Sequence, residues 1–228
     1  MSLSNSEQTT YLTARQGKLC QNVPEGTPKA HKRIKKDTST AYELRYDTLV
    51  GHIVDVAKKT TNWDNPETGR QEEIRSWVIT VIDESWQQFK VEIAYNSSYA
   101  KHFFNRLPRL DFREQVKIKV GESKHETDHT KMRPWLSTSQ NGTKTIPMWT
   151  KEAPGNLPQL EVTEKDGKKH YDDSKMMAFY EEMLNDFKYG FQHPDGTPTY
   201  TREEPETKPE PKGTSIEKTA QETDDLPF

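Results

Sequence analysis

The chain has 228 residues, 30% of them hydrophobic and 30% charged, and a net charge of only −3. That length suits one ordinary domain with appendages or two small ones, and the low apolar share leaves part of the chain outside any core. A single cysteine, Cys20, excludes an intramolecular disulfide and cannot by itself form a thiolate zinc site; Met1 to Thr10 lacks the apolar stretch of a signal peptide and no apolar run nears the ~20 residues that span a bilayer, so a reducing cytoplasm and no membrane partner are expected.

The near-zero charge conceals two opposed ends. Residues 1–40 carry seven Lys/Arg against three Asp/Glu, and residues 201–228 carry four against eight. Residues 1–41, with Gly17, Pro24, Gly26 and Pro28 and the run Lys29-Ala30-His31-Lys32-Arg33-Ile34-Lys35-Lys36, read as an extended or loosely packed basic arm. That run is either a nucleic-acid contact or a solvated charge face.

From residue 42 to 150 the pattern is strand-like. Tyr42 to Val56 is one long β-rich run, and Gly51 inside it marks a bulge or bend. Ala57 to Gln71 reads as a loop with Asn-Pro and Thr-Gly turn signals. Glu73 to Asp83 is a second strand. Phe89, Val91, Ile93 and Tyr95 alternate with Lys90, Glu92 and Ala94 as a third strand with one buried face. Ser97 caps a short helix carrying Tyr99, Phe103, Phe104 and Leu107, closed by Pro108. Val116, Ile118 and Val120 alternate with Lys117 and Lys119 as a fourth strand, and Asn141-Gly142 joins two short extended runs between Leu136 and Met148 as a hairpin.

Residues 151–191 form an extension. Asp166-Gly167 turns a second hairpin between Leu160 and Tyr171. Ser174 to Phe191 is a helix whose Met177, Tyr180, Met183, Leu184 and Phe187 recur at helical spacing, a stripe that packs on the β-core or on a second subunit rather than holding a cofactor. After Pro194 the chain loses hydrophobic periodicity, and residues 192–228 are expected to be a disordered acidic tail with a partner-binding tip, the signature of disorder being that of residues 201–228.

Three strands, a short helix and two more strands, with a bent first strand, are the order of an OB-fold, a five-stranded Greek-key barrel that binds oligonucleotides on its second and third strands and their loops. The expected fold is thus an all-β core with a C-terminal helix and an acidic tail.

The last five residues, Asp224-Asp225-Leu226-Pro227-Phe228, suit a docking peptide. The ring and carboxylate of Phe228 can enter an apolar pocket rimmed by Arg or Lys; Pro227 lowers the entropy lost on docking; Asp224 and Asp225 speed approach to a basic surface. This ending resembles the acidic tip of bacterial and phage single-stranded DNA-binding proteins. Leu49-Val50-Gly51-His52-Ile53 sits where bacterial members carry a similar Leu-Val-Gly stretch, and Phe89 to Val120 is similar to their third strand, helix and fourth strand. The resemblance is one of pattern and covers residues 42–150 and 224–228. It implies a protein that protects single-stranded DNA during replication, recombination or repair and recruits a helicase, polymerase, primase or nuclease through its tip. The basic arm, the hairpin at 160–171 and the helix at 174–191 depart from the bacterial pattern. They resemble more a phage-encoded variant working in a bacterial host's cytoplasm, and they bring the family's tetrameric assembly into question while leaving a homo-oligomer open.

Single strands are held by cations that follow the phosphates and by aromatic faces that stack bases, each stacked base worth about 1–3 kcal/mol. The candidate binding residues are Lys58, Lys59, Trp63 and Arg70 in the first loop; Arg75 and Trp77 on the second strand; Trp86 and Lys90 at the start of the third; Lys117 and Lys119 on the fourth; and Arg133 and Trp135 before the Asn-Gly hairpin. Each Trp is either a buried anchor or a stacking platform. Trp63, among Thr, Asn, Asp and Pro, has little core to join and is assigned to stacking. The tail's excess of acidic residues can compete for the basic groove until DNA displaces it.

His125-Glu126-Thr127-Asp128-His129 matches the zinc-protease pattern H-E-x-x-H, but no apolar residue lies between Gly121 and Lys131, so no amphipathic helix can present both histidines from a core. No phosphate-binding Gly-Lys loop and no nucleophile elbow is present, and neither neighbour of Cys20 could activate its thiol. No catalytic residue, metal or cofactor is expected. Two other readings share the composition: an OB module for RNA or strand annealing, and a protein-interaction adaptor without nucleic-acid binding.

Overall fold

The computed structural model describes residues 9–35, 38–65, 68–125, 130–165 and 167–201. Its strands are β1 (Thr10–Arg15), β2 (Lys18–Val23), β3 (His31–Ile34), β4 (Thr40–Tyr46), β5 (Thr48–Asn65), β6 (Arg70–Ile82), β7 (Gln88–Ala94), β8 (Val116–Lys124), β9 (Met132–Gln140), β10 (Thr143–Lys144), β11 (Glu161–Lys165) and β12 (Lys168–Asp172). Two α-helices, α1 (Ser98–Phe104) and α2 (Ser174–Phe187), pack against them. Ten strands form one sheet in the order β10-β9-β8-β5-β6-β7-β1-β2-β4-β3, and β11–β12 is a separate hairpin. Within the large sheet β1 and β7 run parallel; the other paired strands run antiparallel.

The core is all-β with two helices, but the expected closed five-stranded barrel is not present among the described residues. Closure needs the outer edges of the block β9-β8-β5-β6-β7 to pair with each other. Instead β1 takes the free edge of β7, matching Leu12 to Val91 and Thr13 to Glu92, and the sheet continues outward through β2, β4 and β3.

This also corrects the reading of residues 1–41 as a loosely packed arm. Leu12, Ala14, Leu19 and Cys20 are buried in or against the main core, and residue 41 lies inside β4. The signal was local: Tyr11 to Arg15 alternates polar and apolar residues, and Gln16-Gly17, both at positive φ, turn the chain into β2. The expected loop at 57–71 is corrected as well. It is the far half of a long β5–β6 hairpin, paired in register from Ala57↔Val78 out to Asn65↔Arg70. Its polar side chains are largely exposed, so hydrophobic alternation could not announce it.

β5 is the spine, pairing with β8 over Thr48–Gly51 and with β6 along most of its length. At Gly51 a Cβ would stand 2.5 Å from the carbonyl oxygen of Ile82, so only glycine lets β6 approach this closely. Immediately beyond, Ile53 pairs with Val81 but Asp55 pairs with Thr80, which makes Val54 an extra, bulged residue. Ile53 and Val54 are both buried, and every later residue of β5 sits on the opposite side from the one simple alternation would give it.

Ser97 caps α1, its hydroxyl accepting the Ala100 N–H at 3.2 Å, and Tyr99, Ala100, Phe103 and Phe104 are buried. α2 buries Met177, Tyr180, Met183 and Leu184 on the same core, where Tyr180 stacks on Phe104 with 5.1 Å between ring centroids.

Candidate nucleic-acid interface

The bulge in β5 decides which side each cation of the β5–β6 hairpin occupies. Asp55, Ala57, Lys59 and, by continued alternation, Trp63 share the face turned away from the core. Across the sheet the same face carries Val78 and Thr80 on β6, Lys90 and Glu92 on β7, and Tyr11 and Thr13 on β1. All of these but Trp63 line an open groove of about 460 Å³.

Tyr11 is 67% exposed, with Lys90 Nζ 6.0 Å from its ring centroid. Trp63 is 43% exposed and lies four residues beyond Lys59, roughly 13 Å further out at strand spacing. An aromatic plane beside a cation, as at Tyr11 and Lys90, suits a base and its phosphate, and Trp63 adds a second exposed ring. The groove also holds anions. Glu92 accepts from Lys59 Nζ at 3.3 Å and from Ser76 Oγ at 2.8 Å, and Asp55 accepts the Tyr200 hydroxyl. Burial and that bond to Asp55 push the Tyr200 phenol up to about 12.

Lys58, Arg75 and Trp77 lie on the other side. Trp77 pairs with Lys58, is 1% exposed, donates its indole N–H to the Tyr95 carbonyl at 3.1 Å and stacks on the Tyr95 ring. The expectation that Trp77 stacks a base is therefore corrected: it presents no face to solvent. Lys58 Nζ and the Arg75 guanidinium sit 5.3 and 4.8 Å from the Tyr95 ring centroid. Lys58 also pairs with Glu181 of α2 at 2.7 Å, and Glu181 accepts the Tyr95 hydroxyl. Burial, then the bond to Glu181, pushes Tyr95 up to about 12. This cluster ties α2 to the sheet.

The remaining candidates divide in two. Arg70 opens β6 on the outer side of the hairpin, and Trp86, 50% exposed, stands in the β6–β7 turn. Lys117, Lys119, Arg133 and Trp135 lie in adjacent rows of the outer face of β8–β9. Trp135 crosses Gly121, where a Cβ would stand 2.2 Å from the indole ring, so the close approach requires glycine. Behind it His102 Nδ1 accepts the Leu136 N–H at 3.1 Å; burial, with the charges of Arg106 and Arg133, lowers this imidazole to about 4 and keeps it neutral near pH 7.

Tyr11 was missed because it fell within the presumed arm. The tip Asp224–Phe228 and residues 126–129 of the H-E-x-x-H match lie outside the described residues. Among the described residues no group of three or more His, Cys, Asp or Glu could hold a metal ion, and no helix is long and apolar enough to cross a membrane. No family model matches this chain, and neither does any curated protein or solved structure.

Proposed function

We propose that this protein binds single-stranded DNA with little sequence preference during replication, recombination or repair, and that its acidic tip, Asp224 to Phe228, recruits partner enzymes. The observation that carries this reading is the outer groove of β5-β6-β7-β1, where the exposed ring of Tyr11 lies beside Lys90, Lys59 lines the same groove, and Trp63 stands further along that face. Stacking on such rings is sequence-tolerant because every base has a π-face.

The connectivity supports it. The block β9-β8-β5-β6-β7, with α1 between β7 and β8 and a bulged first strand, has the strand order of an OB-fold opened at one seam. In that fold the second and third strands form the oligonucleotide face, and their counterparts here are β6 and β7.

Titration with oligo-dT, followed by quenching of Trp63 and Trp86, tests the reading. Binding that weakens steeply with salt, with duplex DNA and an RNA homopolymer bound less well, is expected. Preference for RNA would favour an RNA-binding module. Indifference to every nucleic acid in dilute buffer would leave the adaptor role.

A further inference from the structure

The groove is electrically balanced. Lys59 and Lys90 face Asp55 and Glu92 within it, so the stacking surface alone attracts a polyanion weakly. The unbalanced positive charge lies next to it, on β1, β2, β4 and β3.

Thr13 lines the groove, pairs with Cys20 on β2, and Cys20 pairs with Arg45 on β4, so one row of the sheet leads from the groove to an arginine. That step is two strand spacings, roughly 10 Å. Arg45 does not stand alone. Glu43, with 0% of its side chain exposed, accepts from Arg15, from Arg33 Nε at 3.2 Å and from Arg45 Nε at 2.9 Å. Burial opposes its ionisation, but the hydrogen bonds and charges of Arg45 and Arg15 outweigh it and hold the carboxyl below its usual range. One carboxylate against three guanidiniums leaves two positive charges over. Arg33 and Arg45 each turn Nε toward Glu43, and the three arginine side chains are 24–31% exposed. A buried anion that fixes three arginines side by side makes a preorganised fork for phosphate oxygens.

We propose that Arg15, Arg33 and Arg45, held by Glu43, are a phosphodiester-binding platform that takes the backbone of the strand whose bases stack in the groove. The groove supplies the stacking faces and the platform supplies the net charge. This rests on the single-strand reading above and adds a subsite to it, formed by strands that an isolated five-stranded block would lack.

The test measures log K for oligo-dT against log salt with the full chain. Losing one phosphate contact from a single strand lowers that slope by about 0.7, about a two- to threefold change in relative affinity between 50 and 200 mM salt. R33Q, on the outermost strand, leaves Glu43 two arginines and is expected to show that drop, with R33K keeping most of the slope and both retaining wild-type quenching at saturation. E43Q frees a third charge and is expected to steepen the slope even if it lowers the melting temperature, an outcome a purely structural cluster would not produce. If wild type binds oligo-dT with a steep slope while R33Q and E43Q leave it unchanged, the platform is refuted and the groove reading stands. If wild type ignores oligo-dT, the groove reading itself fails and the platform with it.

Discussion

Replacing Tyr11 with Ala separates binding from stability. Tyr11 is 67% exposed and points away from the core, so truncation leaves no cavity, and folding stability should change by about 0.5 kcal/mol or less. Under the proposed function it removes a stacking plane worth about 1–3 kcal/mol, together with the ring above which Lys90 sits at 6.0 Å. At about 1.4 kcal/mol per tenfold, the Kd for oligo-dT should rise roughly 5- to 150-fold. Tyr11→Phe keeps the plane and should bind within about threefold of wild type if stacking, and not the hydroxyl, carries the proposed contact. Fluorescence titration at fixed salt, alongside urea unfolding of each variant, measures both quantities. Unchanged affinity in Tyr11→Ala, with unchanged stability, would refute the groove as the place where bases stack.

Trp77→Ala should do the reverse, destabilising the fold by about 3–5 kcal/mol through the cavity left beside Phe104 and Tyr95, as read from denaturant midpoints, whereas Trp63→Ala should barely move them. His102 has its folded pKa lowered to about 4, so its contribution to stability is present above the unfolded value near 6.5 and is lost as pH falls from there towards 4. Wild type should therefore lose urea resistance between pH 7 and 5, and His102→Asn, which keeps an acceptor for the Leu136 N–H but cannot titrate, should lose less; equal losses would count against this assignment. Deleting residues 201–228 should raise oligo-dT affinity at low salt and abolish capture of a replication or repair partner, and unchanged affinity would remove the competition by the tail.

Local chemistry was readable wherever one element carried its own signal. The alternation of Phe89 to Tyr95 and of Val116 to Val120 and the Met and aromatic stripe of α2 each report a pattern with a burial consequence, and the Ser97 cap and the Asn141-Gly142 turn each report a backbone one. The outer end of the β5–β6 hairpin, beyond the Lys59↔Ser76 pair, carried no such signal, because both of its faces meet water. Its backbone pairing, not side-chain burial, makes it a strand.

Among the candidate residues, the cations and aromatics were visible as types, but not their sides. A single extra residue at Val54 moves Lys59 to the outer face and Lys58 to the Trp77 side, where Tyr95 and Glu181 engage it. Alternation has a period of two, so one inserted residue reverses every assignment after it.

By itself, then, the sequence determined a mainly β core, the short helix after β7 and the longer helix from Ser174, and cations interleaved with aromatics, since those follow from propensity and periodicity over a few residues. Only the tertiary structure decided that β1 joins β7 and leaves the sheet open, that Tyr11 stands beside Lys90, and that Glu43 gathers Arg15, Arg33 and Arg45. Those arrangements depend on pairings between residues up to about eighty positions apart, and no local pattern encodes which distant edge a strand will find.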